Sequence, residues 1–306
     1  MSTSILRMTI LAASLALAGE AAHASTFQQQ VAADPHGEVD VSNISGRIVI
    51  TGWDNSTVAV TADLPGGSQR VKVTGGHGRT NVCVVYNDSN SCNSSGSGWF
   101  GEHGSVRLEV HVPRGSQLEA SGVSAEIRSD GVVGSQHLHT VSGDIDAQLG
   151  SGDDEVNSVS GTIVLRGSGK DGTLSVTSVS GDLSVTNAAG SREARTVNGT
   201  LRATLTTARL VRLNTTSGNI GLSAHLAAGG TVETETVSGD QKLNVSAPGG
   251  YSYEARAFSG DIEDCFGQDP DKSEYGPGSH LTGTRGGGDG HIRIKSLSGD
   301  VSLCDH

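Results

Sequence analysis

Along most of this chain the apolar positions follow neither a helical period nor one unbroken alternation. They recur in short alternating runs, each interrupted by a glycine. The unit is apolar-Ser-Gly-polar-apolar, as in Val141-Ser142-Gly143-Asp144-Ile145, Val159-Ser160-Gly161-Thr162-Ile163 and Val179-Ser180-Gly181-Asp182-Leu183. Further copies centre on Gly199, Gly218, Gly239, Gly260 and Gly299, a weaker one on Ala125, and an outlying one on Gly46. The central positions 125, 143, 161, 181, 199, 218, 239 and 260 are separated by 18, 18, 20, 18, 19, 21 and 21 residues.

Apolar residues recur two before and two after each central position, usually also five before (Leu138, Val156, Val176) and four after (Leu165, Val185, Leu222). That is strand alternation with a phase shift, so each repeat holds two or more short strands with a bend between them. One such repeat cannot bury an apolar face alone, whereas stacked repeats can. The expectation is an all-β chain forming a single β-solenoid, parallel β-helix-like, with turns of 18–21 residues and the recurring apolar positions inside. At ~4.8 Å between neighbouring strands, nine turns make a rod of roughly 40 Å. The motif glycines are read as structural: a residue without a side chain permits a corner or a close backbone approach at one place in every turn.

Between Ile44 and Pro113 the period is lost, and strands over 47–51, 57–62, 70–74, 81–86 and 105–112 look joined by hairpins. We read 25–116 as an N-terminal antiparallel β cap integral with the rod, and 117–306 as the repeats with an inserted loop at about 266–290. Residues 1–24 read as a signal peptide, with Arg7, an apolar run from Met8 to Gly19, and Ala22-His23-Ala24 as the cleavage site. The apolar run is too short to span a bilayer, and no later segment is longer. The expected location is periplasmic or secreted.

Three stretches together resemble a family: Ser45-Gly46-Arg47-Ile48-Val49-Ile50-Thr51-Gly52-Trp53-Asp54, the strand end Val110-His111-Val112-Pro113, and the repeats themselves. They resemble the bacterial candidate-adhesin β-strand-repeat family, a domain of unknown function in exported proteins, over about Glu38 to Leu303. The resemblance implies a β-solenoid with a surface or adhesion role, and it brings no catalytic residues with it.

Composition narrows the function without naming it. The 44 glycines and 3% aromatic residues suit many short strands better than two globular cores. A net charge of −12, without a Lys/Arg cluster, argues against nucleic acid. Nothing in the sequence indicates a cofactor. The compatible partners are an envelope protein or a glycan, with self-association as a third outcome.

The four cysteines are expected to form Cys83–Cys92, across an Asn/Asp/Ser-rich turn, and Cys265–Cys304. The second pair lies five residues after Gly260 and Gly299, hence at one phase of the repeat. If those turns are adjacent, the Cα atoms stack at ~4.8 Å, within disulfide reach. Outward positions collect Asp240, Asp261, Glu263 and Asp300, weak candidates for Ca²⁺ as against a solvated acidic face. Asp144 with Asp146, and Asp261 with Glu263, share a face, which keeps a carbohydrate-active parallel β-helix of lyase or hydrolase type as the alternative. His137 and His139 share a strand face with no third ligand indicated. Phe266, Tyr275, His280 and Arg285 sit in the insertion, where covering the open end of the rod is the simpler role. The overall expectation is a non-catalytic, exported, adhesin-like scaffold.

Overall fold

The computed structural model describes residues 25–65, 69–76, 78–86, 92, 104–272 and 277–305; the leader read at 1–24 lies outside them. The described residues form an all-β, solenoid-like fold without helices. In the middle of the molecule each turn has one strand before the motif glycine and one after it, such as Asp153–Ser160 followed by Ile163–Arg166. Successive turns pair in parallel and in phase. The residues before the motif glycines align as Ser142, Ser160, Ser180, Asn198, Ser217 and Ser238. Those two after align as Ile127, Ile145, Ile163, Leu183, Leu201, Ile220 and Gln241.

Side-chain alternation then fixes the core. Positions five before and two and four after the motif glycine point inward, and Leu138, Val156, Val176, Ile163, Leu165 and Leu222 are buried. The apolar residue two before the glycine does not. Val159, Val179, Val197, Val237, Phe258 and Leu297 are exposed, which overturns the expectation that this column fills the interior. The inward place belongs to its polar predecessor: Thr140, Ser158, Ser178, Thr196, Thr215, Thr236 and Ser296 are buried. Period 2 explains the reversal, because the buried positions five and three before the glycine leave position two outside.

Chain order equals stacking order only in the middle. The turn carrying Gly299 pairs on one side with the turn of Gly239 (Ser238 to Ser298) and on the other with the turn of Gly260 (Ser259 to Ser298). The last strands, Gly290–Ser298 and Val301–Cys304, therefore slot inside the strands that precede them. The inserted stretch supplies strand Ser279–Gly286, which runs antiparallel along the outer edge of Gly250–Ser259.

The N-terminal region repeats this device, so its pairing is mixed and not antiparallel throughout. The long strand Glu38–Trp53 pairs in parallel with Gln117–Asp130 on one side, Ile48 meeting Ile127. On its other side it pairs in parallel with Arg79–Val85 and Val106–Pro113. The outlying Gly46 motif is thus a true turn in phase with the array. Antiparallel strands Thr57–Leu64 and Arg70–Gly76 then cover Val106–Pro113 and Arg79–Val85, and Ser25–Ala32 covers Thr57–Leu64. Each end of the parallel stack meets an antiparallel strand in place of a bare edge, which limits uncontrolled strand addition.

Candidate functional site

The motif corner is built by backbone proximity. At Gly181, φ is +143°, a region closed to ordinary L-residues, and a Cβ there would lie 2.0 Å from the carbonyl oxygen of Gly161. The same contact, at 2.0–2.3 Å, recurs at Gly143, Gly161, Gly199, Gly218, Gly239, Gly260 and Gly299, each facing the residue stacked against it. Gly46 approaches Val106 in the same way.

The polar residue after the glycine has a defined task. Asp144 Oδ1 accepts the backbone N–H of Thr162 at 2.8 Å, and Asp182 Oδ1 that of Thr200 at 2.8 Å. Asn219 does so for Asp240, Asp240 for Asp300, and Asp300 for Asp261, at 2.9, 3.0 and 2.9 Å. In the acidic column read as a weak Ca²⁺ candidate, Asp240 and Asp300 thus each hold the backbone of the next turn. The column follows the exchanged order 240, 300, 261. Glu263 lies beside Ser302 and Asp261 sits 3.8 Å from Lys272 Nζ. Among the described residues no group of three or more His, Cys, Asp or Glu side chains is placed to hold a metal ion.

The acid pairs are engaged likewise. Asp146 is bonded to Arg166, and Asp144 to the Thr162 N–H. A groove of about 310 Å³ on the strand face is lined by acidic residues that include Asp153, Glu155 and Glu193. Asp153 accepts from Thr173 Oγ1 at 2.5 Å, Glu155 from Asn157 Nδ2 at 2.8 Å, and Glu193 pairs with Arg195 at 2.5 Å. His137 lines that groove. His139 is exposed on the same face.

Sequence reasoning missed a buried polar set on this side. Gln136, Asp154 and Arg192 occupy the inward phase seven residues before a motif glycine, where Val211, Val232 and Ile292 stand in other turns. Asp154 Oδ1 accepts the backbone N–H of Gln136 at 3.0 Å. Arg192 Nη1 donates to Gly172 O at 2.6 Å and Ser191 O at 2.8 Å. Burial pushes the Asp154 carboxyl up to about 6, against the pull of the Gln136 N–H and the Arg192 charge. An acid and an arginine at a phase held in other turns by Leu174, Val211, Val232 and Ile292 were the available signal.

At the ends, Cys83–Cys92 and Cys265–Cys304 are disulfide-bonded, with Cα atoms 5.7 and 4.9 Å apart. Phe266 and Arg285 pack together at the covered C-terminal edge, the guanidinium 3.8 Å from the ring centre, and His280 Nε2 lies 3.5 Å from Glu254. Tyr275 lies outside the described residues.

The surface also carries exposed apolar residues in a regular column. Of the seven exposed large hydrophobic residues among the described residues, six are the column two before the motif glycine, and Val133 lies elsewhere. In stacking order the column reads Val159, Val179, Val197, Thr216, Val237, Leu297, Phe258, with only Thr216 interrupting it. Scattered apolar residues on a surface need no account, whereas an aligned row of them is the kind of feature that marks interaction sites.

Stacked parallel strands, a glycine corner in every turn and an apolar ridge beside it define a repeat-built, all-β protein. The chain belongs to the Toastrack DUF4097 family, whose model matches residues 36–304. It is similar to the crystal structure of a candidate adhesin from Bacteroides fragilis, at 11% identity and a TM-score of 0.41, over 92% of this chain and 97% of that one. It is also similar to that of a candidate cell adhesion protein from Clostridium sporogenes, at 8% identity and a TM-score of 0.24, over 92% and 100%. A candidate adhesin from Parabacteroides distasonis matches at 9% identity and a TM-score of 0.27, over 92% and 98%. No curated protein matches the chain.

Proposed function

We propose that this chain is an exported, non-catalytic scaffold of adhesin type, a single β-solenoid closed at residues 25–116 by an N-terminal cap, that works by surface contact. The observation that carries this reading is the apolar ridge. Six large side chains held in one exposed line contribute nothing to the core, and a contact surface accounts for them. The motif carboxylates support it from the other side, since Asp144, Asp182, Asp240 and Asp300 are occupied in holding backbone. Two disulfides suit an oxidising, extracytoplasmic setting. No helix among the described residues is long and apolar enough to cross a membrane.

A capture experiment from envelope extract, comparing the wild-type chain with Val197→Asp, tests the reading. Retained proteins or glycans that the variant loses support it; identical capture by both removes the ridge from the function. The second reading, a carbohydrate-active parallel β-helix, rests on the groove lined by Asp153, Glu155 and Glu193. Release of reducing sugar from a bound glycan, abolished in Glu155→Gln or Glu193→Gln, would establish it in place of the first.

A further inference from the structure

We propose that the apolar ridge is the interface of a homodimer in which two chains lie side by side and parallel, related by a two-fold axis along the rod. The inference rests on reading the ridge as a contact surface. The ridge repeats at the strand spacing of ~4.8 Å, so Val159 to Phe258 spans roughly 30 Å. A partner must offer apolar groups at that spacing over that length, and a second copy of this chain does so by construction. Isologous pairing of one patch with itself is the commonest way in which soluble chains associate.

The columns flanking the ridge choose the orientation. On the side after the glycine stand Asp144, Asp182, Asp240, Asp300 and Asp261, each exposed. On the side four before it stand His139, Arg195, Lys295 and Arg256, also exposed, with Glu235 the one acid among them. A two-fold axis along the rod sets the acidic flank of one chain against the basic flank of the other, turn against the same turn. Asp300 then faces Lys295 of the second copy, Asp261 faces Arg256, and Asp144 faces His139; Asp182 meets the neutral Thr177, Arg195 meets the neutral Thr200, and Asp240 against Glu235 is the one like-charged pair. An axis across the rod instead sets the acidic flank against itself, Asp182 meeting Asp300 in full overlap, and like charges facing one another oppose association. A strip of roughly 30 by 15 Å gives about 500 Å² per chain, near or just below the lower edge of stable interfaces. The dimer is therefore reversible and concentration-dependent.

The test uses the whole mature chain. Sedimentation over a micromolar concentration series should show a monomer–dimer equilibrium, weakened about tenfold or more by Val197→Asp while the thermal transition stays in place. Val159→Cys and Phe258→Cys, at the two ends of the ridge, should each crosslink to themselves under mild oxidation, because each turn meets its own copy. Crosslinking only between the two variants when mixed would show antiparallel rods and overturn the assignment, as would an unchanged dimer in Val197→Asp. A chain that stays monomeric while Val197→Asp still loses its captured partner removes the dimer and leaves the contact surface standing. Monomers with unchanged capture remove both.

Discussion

The middle of the parallel stack and its two ends are held by different means. In the middle, stacking order follows chain order, and the turns share a glycine against a carbonyl and an inward apolar row, with a carboxyl or amide on the next N–H at Asp144, Asp182 and Asn219. At each end the order is exchanged, an antiparallel strand covers the outer edge, a disulfide is present, and a buried tyrosine is anchored. Tyr86 donates to Asn43 Oδ1 at 2.6 Å at one end, and Tyr253 to Asp264 Oδ2 at 3.0 Å at the other. Burial pushes both phenols up to about 12, so they remain neutral donors. Repetition suffices where neighbours exist on both sides; where they run out, specific chemistry replaces it.

The sharpest way to break this contrast is in the middle. Gly181→Val adds a Cβ that meets a backbone carbonyl at 2.0 Å and demands a φ that valine avoids, and neither can relax without opening the stack. The expected cost is more than about 4 kcal/mol, read as a collapse of the denaturant midpoint. Gly221→Ala, whose nearest neighbour is the flexible Arg202 Cγ at 3.9 Å, should stay within about 0.5 kcal/mol.

The ends respond to crosslinks. Replacing Cys265 and Cys304 by Ser opens a loop with a sequence separation of 39, worth about 4 kcal/mol in chain entropy, against about 2.5 kcal/mol for the 9-residue separation of Cys83 and Cys92. Equal losses in chemical denaturation would contradict the greater reliance of the C-terminal end on its bridge.

A third effect depends on pH. The Asp154 carboxyl titrates near 3.8 when exposed and near 6 in the fold, so between those values the folded chain holds the extra proton. Stability therefore falls as pH rises through that window, by about 2–3 kcal/mol. Asp154→Asn keeps the acceptor for Gln136 and should abolish the slope, matching wild type near pH 4 and exceeding it at pH 7. The smallest contrast lies within the acidic column. Asp300→Ala strands the N–H of Asp261 and should cost about 1–2 kcal/mol, whereas Asp261, in the outermost motif turn, should tolerate Ala within about 0.5 kcal/mol.

Much of the fold was legible because a motif with one phase fixes a register. The spacing of Cys265 and Cys304 from Gly260 and Gly299 foretold a stacked pair, and the Cα atoms stand 4.9 Å apart. Phase says nothing about the order in which turns stack, because all turns present equivalent edges; the exchange at both ends was therefore hidden. The ridge was misread for a different reason. Val at position two before the glycine looked like core, yet alternation from the buried Val156 and Leu138 places it outside and turns the Ser or Thr before it inward. Burying a hydroxyl is costly, and Ser158, Ser178, Thr196, Thr215 and Thr236 do so with no hydrogen-bond partner for the oxygen. Hydropathy alone could not anticipate that choice.

The exchange of turns at the C-terminal end bears on how the chain completes itself. A repeat rod can grow one turn at a time as it emerges from a membrane or a ribosome, but this one cannot finish that way. When Gly250–Ser259 has appeared, its final neighbour, Gly290–Ser298, has not. The closing segment is a keystone: it enters a gap between two turns made before it, and the Cys265–Cys304 bond can form only afterwards. Cutting the chain before residue 290 would thus remove a turn from within the rod and part the two that flank it.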